Sequence, residues 1–418
     1  MGSLGGRNTV LMSMRPSPWK RRLVTTIRWS LLVDALVSAL AALLTVVPWP
    51  VLTPEMGAET WPVGFVVAEI ALWLVPLPVC FAAAALWLGR CRGRWLTGIT
   101  VVLCAVAVIL FCKPVVQAWR LGRTLDATLD AAFGVPPMPP PCRPFSLAAV
   151  VVPRNPAPVT IETMPYADGL MLDFYRPAGT AAGGSPRPCV IVIHGGSWLH
   201  GNRLDDGTKR WLNDWLAGLG YAVASLDYRL SPQFKWPAQR DDLLAAVRFL
   251  REHAAALGID GDRLVLVGRS AGAQMATAAA YAEVIPGVRG IVDIYGPTDF
   301  FRTWEVATHP RSLDHRYNLE LFLGGSPETH RAAYQSASGA MLATAHAPPT
   351  LILHGRLDIN VFVEQAEMLD RKLAAAGVPH ALVVLPWAAH AFDFVNFNTP
   401  GAQIGRYAVA RFLASVTR

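Results

Sequence analysis

The stretch RLVLVGRSAGAQMATAAAY, residues 263–281, sets a short apolar run against an alanine-rich one, with a serine between two glycines at the joint. RLVLVG reads as a buried strand, and the residues after Ser270 are strong helix formers. Gly268-Arg269-Ser270-Ala271-Gly272 is therefore expected at a tight strand-to-helix turn. Small residues two before and two after the serine let backbone and helix crowd together. Such a turn lifts the hydroxyl clear of a sheet and over a helix N-terminus, whose partial positive charge favours a developing anion. The pattern alone is weak, because glycine-rich chains match it by chance. Its weight depends on what surrounds it.

Outward from this turn the chain alternates. VTIETM and LMLDFYRP, separated by Ala167-Asp168-Gly169, read as a hairpin. CVIVIH, YAVASLD, RLVLVG, RGIVDIYG, TLILHG and ALVVLP follow as apolar runs, with helical patterns such as 239–257 and 361–376 between them. Apolar strands separated by helices imply a mostly parallel sheet covered on both faces. The expected fold class is α/β, with eight strands over residues 159–418 and the first pair antiparallel. Residues 297–347, between the sixth and seventh strands, are expected to form a cap containing Phe300, Phe301, Trp304, Tyr317, Phe322 and Tyr334. Those aromatics would line an apolar pocket or form the cap's own core.

Partners for the serine follow from position. His194-Gly195-Gly196 closes the third strand, beside the expected nucleophile strand. Amides of Gly195, Gly196 and Ala271 can face a substrate oxyanion, each such donor being worth roughly 3 to 4 kcal/mol. A simple tight turn is the alternative for that motif. Among ten histidines, His390 in LPWAAHAFDF follows the last strand, where a loop can return over the serine. His354, at the end of the seventh strand, is assigned to packing. The acid should follow that strand, and TLILHGRLDINV supplies Asp358; Asp393 is the rival, three residues from the histidine. The order Ser270, Asp358, His390 is that of one large class of serine hydrolases.

With HGGSWLHG, DYRLSPQFKWPAQRDDLLAAVRFL, GRSAGA, YGPTD, HGRLD and HAFDF in place, residues from about 160 to 418 resemble the α/β-hydrolase superfamily, in its hormone-sensitive-lipase-like and BD-FAE branch. The resemblance implies a carboxylesterase that forms an acyl-enzyme on Ser270 with His390 and Asp358, without metal or cofactor, on a small-molecule or lipid ester. Asn360-Val361-Phe362 stands where that family often has Val-Pro after the acid. An acyltransferase with the same triad, or a catalytically inactive membrane-bound binding protein, are the alternatives.

The first 120 residues are of another kind. Of the 418 residues only 16% are charged and 53% are hydrophobic, and the mean hydropathy is +0.33. Three apolar runs, 30–47 with Asp34, 63–88 with Glu69, Pro76 and Pro78, and 96–112 continuing to about 118, are each long enough to cross a bilayer, for which about 20 apolar residues suffice. This layout resembles membrane-anchored carboxylesterases of mycobacteria and related actinobacteria. The net charge of +7 is scattered, and its one dense group, Lys20-Arg21-Arg22 with Arg28, precedes the first run. That suits a membrane flank; no basic stripe or binding motif points to nucleic acid. Residues 1–28 are basic, the loop 48–62 carries Glu55 and Glu59 but no basic residue, and Arg90, Arg92 and Arg94 fill the next loop. The positive-inside rule then places the N-terminus in the cytoplasm and everything after residue 119 outside. Asp34 and Glu69 are expected near opposite interfaces, within reach of water. Residues 120–158 read as an amphipathic helix on the bilayer, with Leu121, Leu125, Leu129 and Ala132 on one face, then a linker stiffened by nine prolines. The six cysteines form no CxxC; Cys142 and Cys189 could pair outside the cytoplasm, although Cys189 opens a strand and reads as a core thiol.

Overall fold

Eight strands form one sheet in the order β1-β2-β4-β3-β5-β6-β7-β8 in the computed structural model. It describes residues 61–89, 94–138, 140–177, 185–204, 210–306 and 314–418, with a few positions between 36 and 43. The strands are β1 (Ile161–Ala167), β2 (Leu170–Tyr175), β3 (Arg187–Ile193), β4 (Ala222–Leu226), β5 (Ile259–Arg269), β6 (Val288–Ile294), β7 (Thr350–Gly355) and β8 (His380–Leu385). Each lies where an apolar run was read. β2 is antiparallel to β4 as well as to β1, and the remaining pairs are parallel.

The period of two sorts the side chains. Cys189, Ile191 and Ile193 of β3, with Leu264 and Leu266 of β5, enter one core. Val190 and Val192, with Val265 and Val267, enter the other. Fully burying each Val, Leu or Ile contributes roughly 1.5–3 kcal/mol, so both faces must be covered. The first face is covered by helices Ala238–Glu252 and Ala271–Ala282 and by Glu364–Ala375, through Leu243, Met275 and Leu369. The second takes Ile404, Tyr407, Phe412 and Leu413 of the last helix, Pro400–Val416. Cys189 is a buried free thiol whose burial pushes it up to about 12. Cys142 is free as well.

In the N-terminal region the chain divides into two compact units, one of residues 1–46 and 76–108, the other of 47–75 and 109–418. Among the helices described there are α1 (Trp61–Leu74), α2 (Pro76–Gly89) and α3 (Arg94–Phe133). The expected run 30–47 lies outside the described residues, apart from isolated positions. The run 63–88 is broken at Val75, between α1 and α2. Among the described residues one helix, Trp95–Phe133, is long and apolar enough to cross a membrane, with Val66–Leu74 and Pro76–Trp87 making a second if taken together. Three such helices are therefore not found among the described residues.

Two expectations are corrected here. The amphipathic helix is not separate: α3 runs unbroken through residue 119 to Phe133. Nor does its apolar face meet a bilayer. Leu125 and Leu129 are 1% and 2% exposed, within the core that holds Tyr407, Phe412 and Leu413. Asp126 accepts from Tyr407 Oη at 2.7 Å, and Asp130 pairs with Arg411. Asp126 and Asp130 thus find partners on the last helix while Leu125 and Leu129 are covered. Glu69 is the other correction. It is 2% exposed and its carboxylate accepts the Gly401 N–H at 3.1 Å. Gly401 lies in the first turn of the last helix, where unsatisfied amides attract a carboxylate. Trp73 likewise donates from Nε1 to Val150 O at 2.9 Å, so α1 is tied to this unit at two points.

Candidate active site

At the end of β5 the chain turns through Ser270, with φ 51° and ψ −116°, directly into the helix Ala271–Ala282, labelled α4. A positive φ at a non-glycine residue is strained and persists only where its surroundings dictate it. Here the surroundings are close. A Cβ on Gly268 would lie 2.4 Å from Ala273 N and Cα, and one on Gly272 would lie 2.3 Å from Ile193 O. Both obstacles are backbone, so neither can move aside cheaply. The two glycines let α4 start against β3 and β5, and Ser270 N–H donates to Ile294 O at 2.9 Å.

His390 lies in the loop after β8 and reaches the serine. Its Nε2 is 3.1 Å from Ser270 Oγ, while Nδ1 donates to Asp358 Oδ2 at 2.7 Å. The other oxygen of Asp358 accepts the N–H groups of Asn360 and Val361, both at 2.9 Å. Burial opposes ionisation of Asp358, but His390 and His354 outweigh it and hold the carboxyl well below the usual range. Residues 120 and 32 positions apart in sequence are thereby joined in one hydrogen-bonded line.

The third strand supplies the glycine turn. β3 pairs with β5 as far as Ile193 opposite Gly268, so His194-Gly195-Gly196 emerges beside Ser270. A Cβ on Gly195 would stand 3.3 Å from Ser270 Cβ. Gly196 has φ 117°, and a side chain there would meet His200 O at 2.1 Å. Ser197 and Trp198 also have positive φ, 54° and 63°. His194 donates from Nδ1 to Gly195 O at 2.7 Å, and its ring stacks on Tyr228 at 4.1 Å. Ala271 is 1% exposed and begins α4. Asp358 and His390 thus join Ser270 in one hydrogen-bonded line, and the turn through His194-Gly195-Gly196 begins beside it.

Asp393, the rival acid, has another occupation. It accepts from Arg269 Nε at 2.6 Å and from Tyr295 Oη at 2.7 Å, and the Tyr295 ring lies 4.6 Å from His390. It clasps the histidine loop to the residue before the serine. The aromatics expected in a cap divide as well. Phe300 and Phe322 pack on Trp198 of the glycine turn, at 5.3 and 4.2 Å, whereas Tyr317 is exposed. Phe300, Phe322 and Tyr334 are buried with Trp198 in the core on the first face of the sheet. His354, assigned to packing, is completely buried with Nε2 3.4 Å from Asp358 Oδ2. Its spacing of four residues before the expected acid was the available signal.

Comparison with known proteins agrees with this fold. Residues 172–373 match the BD-FAE family, a stretch that includes Ser270 and Asp358. Esterase LipC of Mycobacterium tuberculosis is 30% identical over 56% of this chain and 59% of its own length. This chain therefore spans little more than half of that relative. Ethyl acetate hydrolase of Pseudomonas putida is 31% identical over 50% of this chain and 67% of its own length. A truncated carbohydrate esterase from gut microbiota shares the fold, with a TM-score of 0.53 at 22% identity over 62% of this chain and 99% of that one. The sheet order and the strained serine turn accord with these similarities, and the chain belongs to the α/β-hydrolase carboxylesterase family.

Proposed function

We propose that the chain hydrolyses carboxylic esters through an acyl-enzyme on Ser270. The observation that carries this reading is the line from Asp358 through His390 to Ser270 Oγ, at 2.7 and 3.1 Å. His390 Nε2 removes the hydroxyl proton as Oγ attacks the ester carbonyl, and Asp358 holds Nδ1–H so that Nε2 is the free base. Negative charge moves to the carbonyl oxygen, where the N–H groups of Gly195, Gly196 and Ala271 receive it. Collapse expels the alcohol, which takes its proton from His390. A water then repeats the sequence on the acyl-enzyme, releasing the acid and restoring Ser270.

A series of p-nitrophenyl esters from acetyl to long acyl tests this on the detergent-solubilised chain. Turnover lost in Ser270→Ala is expected. Labelling of Ser270 by a fluorophosphonate without turnover of any ester would point to acyl transfer instead.

The apolar N-terminus is proposed to anchor this domain in a membrane by the runs 30–47, 63–88 and 96–118, with the N-terminus cytoplasmic and the hydrolase outside. The support is the apolar length of Trp95–Phe133 and the basic flanks. A periplasm-dependent reporter fused after Arg418 is expected to be active; a cytoplasm-dependent one active in its place refutes the orientation.

A further inference from the structure

Behind the expected acid stands a second histidine that the mechanism above does not use. His354 ends β7 and has no exposed surface. Its Nε2 is 2.7 Å from Val361 O, and a carbonyl can only accept, so Nε2 carries the proton. The same nitrogen is 3.4 Å from Asp358 Oδ2, the oxygen that also accepts from His390 Nδ1. The two histidines therefore approach one carboxylate oxygen, while the other oxygen takes the Asn360 and Val361 amides. His354 and Asp358 hold the same short turn at Val361, His354 through the carbonyl and Asp358 through the amide.

We propose that His354 is a positioning residue for the reaction: its Nε2–H fixes the Asp358–Val361 turn and withdraws charge from the oxygen that orients His390. This rests on the hydrolytic reading of Ser270, Asp358 and His390. The Nε2–H is bonded to Val361 O, and its positive end, with Nε2 3.4 Å from Oδ2, makes that oxygen a weaker acceptor for His390 and lowers the stability of the imidazolium. Without it the carboxylate is freer to rotate, and the histidine is held less accurately but protonated more readily.

The titratable and charged groups facing this pair are few. Asp293, on the neighbouring strand β6, couples electrostatically to His354. Asp293 Oδ1 accepts the Gly296 N–H at 2.8 Å. His390 faces from the loop after β8, and His315, which opens the cap helix His315–Leu323, faces His390 and Asp358. Burial opposes charge on His354, while Asp358, the Val361 carbonyl and Asp293 favour it.

The test compares His354→Gln, which retains an N–H of similar reach, with His354→Leu, which retains none. p-Nitrophenyl acetate is the substrate, the full chain is used in detergent, and Ser270→Ala is run beside both. For His354→Leu we expect kcat to fall about tenfold with KM within twofold. We also expect the acid limb of the kcat/KM profile to move to higher pH by about half a unit. His354→Gln is expected to recover most of kcat and return the limb toward its original position. Thermal melts identify a leucine variant that does not fold, in which case His354→Met, which also retains no donor, takes its place. Unchanged kcat and an unmoved acid limb in a folded variant without a donor at position 354 would overturn the proposal. Activity surviving in Ser270→Ala would instead overturn the hydrolytic reading beneath it.

Discussion

Replacing Asp358 by Asn tests the acid assignment with the smallest change of shape. The amide oxygen can still accept the Asn360 and Val361 N–H groups, which now reach Oδ1 at 2.9 Å. Its NH2 group then stands in the place of Oδ2, 2.7 Å from His390 Nδ1. A donor there obliges Nδ1 to accept, so the ring proton moves to Nε2. That nitrogen, 3.1 Å from Ser270 Oγ, can no longer take the hydroxyl proton. A wrong tautomer of this kind costs about 10⁴ in kcat, or about 5.5 kcal/mol of transition-state stabilisation. The assay is steady-state hydrolysis of p-nitrophenyl acetate with a thermal melt on the same preparation. Asp393→Asn is the control. It removes the charge partner of Arg269, a side chain only 6% exposed, and is expected to cost about 3 kcal/mol of stability while kcat of the folded fraction changes far less. If Asp358→Asn keeps kcat within tenfold of the parent, and Asp393→Asn does not, the acid has been assigned to the wrong residue.

Further outcomes are expected from the same structure. Gly272→Ala places a methyl 2.3 Å from Ile193 O, so α4 must shift from β3; a loss of stability on the order of 3 kcal/mol and of nearly all turnover should appear in melts and kinetics. Leu129→Ala opens a cavity between α3 and the last helix, and denaturant titration is expected to show about 2–4 kcal/mol of destabilisation. Burial raises the Asp293 carboxyl to about 6, against about 3.9 in an unfolded chain. The folded state then binds the proton more tightly, so this group's contribution to stability is full below pH 4 and is lost as pH rises through 6. Asp293→Asn should flatten the stability profile across that window, on the order of 2–3 kcal/mol. An unchanged slope between pH 4 and 6 would contradict the assignment. Asp358 acts in the opposite sense, its contribution being present above the unfolded value and lost only as pH falls below it.

Local order made much of this protein legible without a fold. Strand β5, the helix after it and the serine between them depend on neighbours in sequence: apolar residues in a run, then helix formers, with glycine at two fixed offsets. The positions of Gly195, Asp358 and His390 at strand ends were legible for a related reason. In a parallel sheet every strand delivers its carboxyl end to the same edge, so residues just after β3, β7 and β8 must gather there. What remained hidden depends on contacts between distant parts of the chain. Glu69 accepts from a backbone amide 332 residues away, and nothing in an apolar run announces that its one carboxylate will meet a helix N-terminus rather than water. The helical face of Leu125 and Leu129 has the same pattern whether a bilayer or another helix covers it. Only the packed structure selects the last helix, by giving Asp126 and Asp130 their partners on Tyr407 and Arg411. The two acids near the histidine are likewise alike in sequence. Tertiary structure separates them, turning Asp358 toward His390 and engaging Asp393 with Arg269 and Tyr295. Periodicity and chain order thus determined the sheet and the edge on which the site lies. Partner choice among chemically equivalent groups awaited the long-range contacts, because only these decide which charge is buried against which donor.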